Sequence, residues 1–223
     1  MRLVADNVSV ARGGHIFFSG ISFSLEAGEA LVVSGPNGVG KSTFLRVLAG
    51  LLPDAEGSVR LEDAGFETAA EGAHYLGHRN GMKSELTVRE NLEFWRSFMG
   101  EAGGDQTKVS AGVIEAVAMV GLDGLDHLPF GYLSAGQKRR IAMARLLTAY
   151  RPLWILDEPT AALDVQSQEM FSGIVAGHLK TGGLVVAATH HSLGLKNTRN
   201  LILNPDSQAA MSSHDPFASQ EPA

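Results

Sequence analysis

Residues 35–43 read Gly35-Pro36-Asn37-Gly38-Val39-Gly40-Lys41-Ser42-Thr43. A glycine, four further residues and then Gly-Lys-Ser form the pattern of a phosphate-binding loop, or P-loop. The pattern is specific when it lies between a strand and a helix. Here an apolar run at 30–33 precedes it and residues 43–48 continue at helical spacing. A plain glycine-rich turn is the alternative, but these flanks favour a nucleotide-binding loop.

The residue types of this loop suit the phosphates of a nucleotide. Glycines let consecutive backbone N–H groups turn toward an anion, and the start of the following helix adds its dipole. The Lys41 side chain can reach the β- and γ-phosphates, and the Ser42 hydroxyl can bind Mg²⁺. We therefore expect a nucleotide and a magnesium ion at this loop.

A second motif lies at the end of another apolar run. Residues 153–156 have the composition of a buried strand and are followed by Asp157 and Glu158. Ligands bind at the carboxyl ends of strands in α/β sheets. We expect Asp157 to hold Mg²⁺, directly or through water, and Glu158 to act as general base on the attacking water. The alternative is that the two acidic residues only mark the solvent-exposed start of a helix. The P-loop upstream argues against this alternative.

A third motif, Leu133-Ser134-Ala135-Gly136-Gln137, precedes a predicted helix over 134–150. Ser134 and Gln137 have the spacing of a capping box, in which each side chain bonds the other residue's backbone N–H. A helix N-terminus that carries a serine hydroxyl is also an anion site. The structural and the ligand-binding interpretation are therefore compatible.

The length and composition predict one large globular domain or a domain with a subdomain. The chain has 223 residues, 44% of them hydrophobic, no cysteine and a formal net charge of −6. Disulfides, thiolate metal sites and thiol-attached haem are excluded, and the negative charge argues against sequence-independent binding of nucleic acid. The chain shows neither a secretory segment near Met1 nor an apolar run long enough to span a membrane, so we expect it in the cytosol.

The periodicity of the remaining chain predicts alternating strands and helices. Half-buried strands are expected at 3–10, 16–25 and 57–61, buried parallel strands at 153–156 and 184–188, and helices at 87–98, 108–120, 134–150 and 165–180. The last of these helices would connect the two buried strands as a βαβ crossover. Residues 205–223 are rich in Ser, Ala, Gln and Pro, and we expect a disordered tail there.

Together, these motifs resemble the ATPase subunits of ATP-binding cassette (ABC) transporters over about residues 1–203. Beyond the P-loop and the Asp157–Glu158 pair, Leu133–Gln137 is similar to the family signature, with Ala135 in place of its first glycine. Ala162-Leu163-Asp164 is similar to the D-loop, and His190 to the switch histidine. GTPases, kinases and helicases do not carry the Ser134 motif shortly before the Asp157 strand.

The resemblance implies an α/β fold of the P-loop NTPase class in a single ABC domain over 1–204. It implies a mostly parallel core sheet, an antiparallel β subdomain at about 1–30 and 55–76, and a helical subdomain at about 85–150. It also implies that two copies pair head to tail. Each ATP then lies between the P-loop of one copy and Ser134, Gly136 and Gln137 of the other, with Lys41, Glu158 and His190 acting in hydrolysis.

Two positions depart from the family pattern. Where an aromatic residue usually stacks on adenine, the chain has Arg12, whose planar guanidinium can also stack. Phe17 or Phe18 are the alternatives. Where most cassettes have a glutamine that touches Mg²⁺, the chain has His78, which we interpret as a metal ligand in that glutamine's role.

The stretch 75–92 and the sequence 133–140 resemble the haem-exporter ATPases of bacterial cytochrome c maturation. This implies a peripheral ATPase at the cytoplasmic face of the inner membrane, docked on multi-pass permease subunits, that powers haem export or release of a haem-loaded chaperone. An ABC exporter for another substrate and a non-transport ABC ATPase are the alternatives. The second usually carries two cassettes or long basic linkers, which this chain lacks.

Overall fold

The computed structural model describes the chain in eight segments. These are residues 1–12, 15–52, 55–100, 110–161, 163–189, 193–195, 198–204 and 207–212. The strands are β1 Arg2–Arg12, β2 His15–Glu26, β3 Ala30–Ser34, β4 Ala55–Glu62, β5 Ala73–Leu76, β6 Leu153–Asp157, β7 Leu184–Ala188, β8 Thr198–Asn204 and β9 Ser207–Ser212. The helices are α1 Lys41–Leu48, α2 Val88–Met99, α3 Val113–Met119, α4 Ala135–Thr148 and α5 Val165–Lys180, with a short 3₁₀ turn at Phe130–Tyr132.

Two sheets form the framework, as the predicted α/β class requires. The larger sheet has the order β5-β6-β7-β3-β8-β9 and is parallel except for its last pair, and the smaller sheet is antiparallel with the order β2-β1-β4. The predicted crossover is confirmed, because α5 joins the parallel neighbours β6 and β7, with Asp157 in register with Ala188. The carboxyl ends of β3 and β6 therefore lie at the same edge of the larger sheet.

The core explains why the central strands are continuously apolar. In β6, Leu153 and Ile155 belong to the cluster shared with α1 and the smaller sheet, whereas Trp154 and Leu156 belong to the cluster packed on the helices. Successive side chains of a strand point to opposite faces. A strand covered on both faces has no polar side, so it loses the alternation seen in β1 and β2.

Three boundaries differ from those expected. Ala73–Leu76 pairs in parallel with β6 and so belongs to the larger sheet rather than to the antiparallel subdomain. Helix α3 begins at Val113, after residues 110–112 that are not helical. The expected disordered tail is wrong over Ser207–Ser212, which form a strand antiparallel to β8. Residues 205–206 and 213–223 lie outside the described part of the chain.

Among the described segments, no helix is both long enough and apolar enough to cross a bilayer.

Candidate active site

The P-loop lies where the sequence predicted it, between β3 and α1. Gly35 has φ 141°, and a Cβ there would come within 2.4 Å of the Leu203 carbonyl oxygen, so the position requires glycine. Gly40 caps α1 with φ 105°, and within the described chain no side chain caps this helix. The first N–H groups of a helix have no partner inside the helix. They are therefore directed into the loop as donors for an anion.

Lys41 folds back over the same loop. Its Nζ donates hydrogen bonds to the carbonyl oxygens of Gly35 at 2.7 Å and Pro36 at 3.1 Å. An ammonium group has three N–H donors. These contacts hold the positive charge of the side chain against the carbonyl groups at the beginning of the loop.

Asp157 is the centre of the site. Its side chain is only 1% exposed, and Ser42 donates a hydrogen bond from Oγ to Oδ1 at 3.0 Å. Tyr75 donates from its hydroxyl to Oδ2 at 3.2 Å, and His78 Nε2 lies 3.7 Å from the same oxygen with its side chain 58% exposed. A buried carboxylate needs such partners. The fold thus joins the P-loop serine, the end of β6 and the segment after β5.

Sequence reasoning missed Tyr75 as a site residue. Burial raises the pKa of Tyr75, with the Asp157 charge acting in the same direction and a hydrogen bond to Arg46 opposing it. The phenol therefore stays protonated and remains a donor to Asp157. Its role depends on the position of β5 beside β6, and the resemblance to the family had placed those residues in the other sheet.

Glu158 adopts an unusual backbone conformation directly after β6. Its φ is 45°, and its N–H donates to the Ala188 carbonyl oxygen at 2.8 Å. A left-handed conformation is uncommon for a residue with a Cβ. The surrounding contacts must therefore maintain it, and they place the half-buried carboxylate one residue beyond Asp157.

The Ser134 motif forms the start of α4. The predicted capping box is present: Gln137 N–H donates to Ser134 Oγ at 3.2 Å, and Ser134 N–H donates to Gln137 Oε1 at 2.9 Å. Ser134 is exposed and Gly136 half-buried. Among the described residues, no hydrogen bond joins Ser134 to the P-loop.

Comparison with known proteins places this arrangement in a family. Residues 18–161, more than half of the chain, match the family model described as ABC transporter. The chain belongs to the ABC transporter family. It is an ABC ATPase, and the larger sheet with its P-loop is the ABC nucleotide-binding core.

Full-length relatives and a solved ABC structure agree with this assignment. The cytochrome c biogenesis ATP-binding export protein CcmA of Rhizobium meliloti is 59% identical over 90% of this chain and 97% of that protein. The protein of the same name from Mesorhizobium japonicum is 57% identical over 88% and 95%. An ATP-binding cassette solved as a dimer in a post-hydrolysis state with ADP and Pi shares the fold, with 23% identity, a TM-score of 0.77 and coverage of 95% and 98%.

The remaining predicted ABC residues are only partly described. His190 and Ala162 lie outside the described residues. Arg12 pairs with His15 at the end of β1, and the structure describes no more of it than its backbone. Of the two aromatic alternatives, Phe18 is buried edge-on against Phe44 in the core. Phe17 is half-buried beside Gly40, whose Cβ, if present, would contact it at 3.4 Å.

Proposed function

We propose that this chain is the ATP-hydrolysing subunit of a cytochrome c biogenesis exporter at the cytoplasmic face of the bacterial inner membrane. Two similar proteins, matched along nearly their whole length, carry the name cytochrome c biogenesis ATP-binding export protein. The observation that best supports ATP hydrolysis by this chain is the contact between Ser42 and Asp157, which are 115 positions apart in sequence. It brings the phosphate-binding loop and the acidic strand end into one site, with Glu158 adjacent.

The chemistry begins with phosphate binding. In the proposed site, Lys41 and the amides at the start of α1 bind the β- and γ-phosphates of ATP, supported by the loop residues Gly35, Pro36, Asn37, Gly38, Val39 and Thr43. The oxygen of a water molecule attacks the γ-phosphorus while Glu158 accepts a proton from that water. The bond between the γ-phosphorus and the oxygen that leaves with ADP breaks. The positive charge of Lys41 stabilises the negative charge that develops on the transferred group.

The donor set also fits a magnesium ion. Ser42 Oγ and Asp157 Oδ1 are oxygen ligands 3.0 Å apart at the mouth of the P-loop, and Mg²⁺ prefers oxygen. Bound there, the ion would neutralise charge on the phosphates. His78 lies on the exposed side of Asp157. We assign it to this site as an additional ligand, direct or through water.

The exposed signature segment implies that a second copy completes the site. Ser134, Gly136 and Gln137 lie at the start of α4, where Ser134 is exposed and the other two are half-buried. In the proposed head-to-tail dimer they face the ATP held by the other copy, and the switch residue His190 contacts the γ-phosphate. We assign Arg12 to stacking on the adenine base. Of its two aromatic alternatives, Phe17 is the half-buried one and lies beside Gly40 of the P-loop.

A cleft beside this site suits a membrane subunit. It has a volume of about 1200 Å³ and lies between the end of α1, the segment after β5 and the outer face of α2. Two exposed apolar side chains border it, Leu51 at 55% and Phe98 at 69%. His78 also lines it, so a permease segment seated there would contact a residue of the proposed metal site. We assign the cleft to the multi-pass permease subunits, with no nucleic-acid partner.

Co-purification tests this assignment. The tagged chain is isolated from native membranes in mild detergent, the accompanying proteins are identified and the haem absorption spectrum is recorded. We expect permease subunits of cytochrome c maturation. An unrelated permease would contradict the assignment and leave the ATPase chemistry intact.

A pair of variants tests the cleft in the same preparation. Phe98→Ser should lose the membrane subunits and keep basal ATP hydrolysis. Ile114→Ser, a matched control at 62% exposure on α3, should retain both. Retention of the membrane subunits by Phe98→Ser would contradict docking in the cleft.

A further inference from the structure

Arg139 connects the helix that begins at Ser134 with the acidic end of β6. It lies in α4 and is only 5% exposed. Its guanidinium donates to four main-chain carbonyl oxygens: those of Gly77 at 2.7 Å, Asp157 at 3.3 Å, Glu158 at 2.8 Å and Pro159 at 2.9 Å. A single side chain thus joins α4, the segment after β5 and the loop that carries Glu158.

These contacts fix the backbone on both sides of Glu158. Arg139 holds the carbonyl of the peptide unit before Glu158 and the carbonyl of the unit after it, while the Glu158 N–H is bonded to Ala188. When both flanking peptide units are fixed, the direction of the Cα–Cβ bond is fixed as well. The left-handed conformation of Glu158, with φ 45°, is therefore maintained by neighbours rather than by its own preference.

Arg139 is a charged residue in a buried position. Burial lowers its pKa, and the charges of Asp157 and Glu158 oppose that shift. A rigid, planar group with five N–H donors can bond several carbonyl oxygens at fixed angles, which a lysine cannot reproduce. The nature of the contacts thus favours a geometric role over simple charge neutralisation.

We infer that Arg139 is a positioning residue for hydrolysis: it holds Glu158 in its productive orientation and ties that orientation to the position of α4. The inference rests on the proposed role of Glu158 as general base. It has a consequence for the dimer, because the same helix presents Ser134 to the nucleotide of the other copy. Displacement of α4 at that surface moves the carbonyl contacts of Glu158 in its own site.

Steady-state kinetics of the full chain test this role. Arg139→Gln should lower kcat by about ten- to a hundredfold, the range expected for misplacing a catalytic group by about 1 Å, with KM for ATP unchanged. The kcat of Arg139→Lys should lie between that of Arg139→Gln and that of the wild type. The control is Arg140→Gln on the same helix, whose guanidinium donates to the Val120 and Gly121 carbonyls at 3.3 Å, and it should match the wild type.

A double variant separates positioning from general destabilisation. If Arg139 acts through Glu158, Arg139→Gln should cause no further loss of turnover in a Glu158→Gln background. An equal loss in both backgrounds, a parallel rise in KM, or wild-type kcat in Arg139→Gln would overturn the inference. Thermal unfolding identifies the folded variants, and Arg139→Lys carries the test if Arg139→Gln does not fold. Full turnover in Glu158→Gln alone would contradict the proposed function first, and the inference with it.

Discussion

The edge of the larger sheet that carries the P-loop, called the P-loop edge below, differs from the start of α4 in how its polar groups are bonded. At the P-loop edge, Ser42 and Tyr75 converge on a carboxylate that is 1% exposed, so the contacts are completed within one chain. At the start of α4, Ser134 is exposed, its side chain bonds within its own capping box, and its carbonyl oxygen accepts from the Lys138 N–H of the same helix. The first region is arranged for chemistry and the second for recognition. In the proposed dimer, a second copy brings the two regions together.

The largest effect should come from removing the general base at the P-loop edge. Glu158→Gln keeps the shape of the side chain but cannot accept the proton of water, so turnover should fall by about 10²–10⁴-fold. ATP binding should persist, and gel filtration with ATP should show a stable dimer. Glu169→Gln, an exposed carboxylate on α5, should behave as the wild type. A Glu158→Gln protein that stays monomeric with ATP would break the comparison between the two regions.

The next effect concerns His74, which links β5 to the end of α4. Its Nε2–H donates to the Ala149 carbonyl oxygen, and burial lowers its pKa from 6.5 to about 3. Between these values the unfolded chain binds a proton at this position and the folded chain does not. Stability is therefore lost as pH falls from 6.5 toward 3, by roughly a few kcal/mol from this residue.

Urea unfolding at several pH values checks this prediction. His74→Gln retains an N–H donor for Ala149 and does not titrate, so its free energy of unfolding should depend less steeply on pH in this range. His127→Gln, at an exposed position, is the control and should keep the wild-type slope. Identical slopes for His74→Gln and the wild type would show that His74 contributes nothing to the acid sensitivity.

A smaller effect should follow from Tyr75→Phe. The variant removes one donor to Asp157 and leaves Ser42 in place, at a cost of about 1–3 kcal/mol of stability for the buried carboxylate oxygen. Turnover should fall by less than in Glu158→Gln, and the concentration of Mg²⁺ needed for half-maximal activity should change. Kinetics at limiting and saturating Mg²⁺ measure both. Unaltered kinetics would mean that Tyr75 is not part of the site.

The sequence revealed the features that depend on local pattern. Helix α5 was predicted with its observed bounds, Val165–Lys180, and β6 to within one residue, because apolar runs and caps are local signals. The capping box at Ser134 was found for the same reason. Together with the P-loop and the Asp157–Glu158 pair, these signals were sufficient to predict the fold class.

The features that the sequence did not reveal depend on contacts between distant segments. Strand β5 has four residues and pairs with a strand about eighty positions later, so no local pattern assigns it to the larger sheet. The Tyr75 hydroxyl reaches Asp157 across 82 positions. Arg139 looks like one of three consecutive basic residues until the fold buries it against four carbonyl groups. These side chains serve the site through geometry that only the folded chain provides.

Cross-linking between two copies tests the central claim, that the P-loop of one chain meets the start of α4 of another. The chain has no cysteine, so Asn37→Cys and Ala135→Cys each place a single thiol at an exposed position. Each variant is prepared with Glu158→Gln, and the two are mixed with ATP under mild oxidation. A disulfide forms only between closely placed residues. The account predicts an ATP-dependent linked dimer in the mixture and none in either variant alone. Cross-linking within a single variant, or none in the mixture, would contradict it.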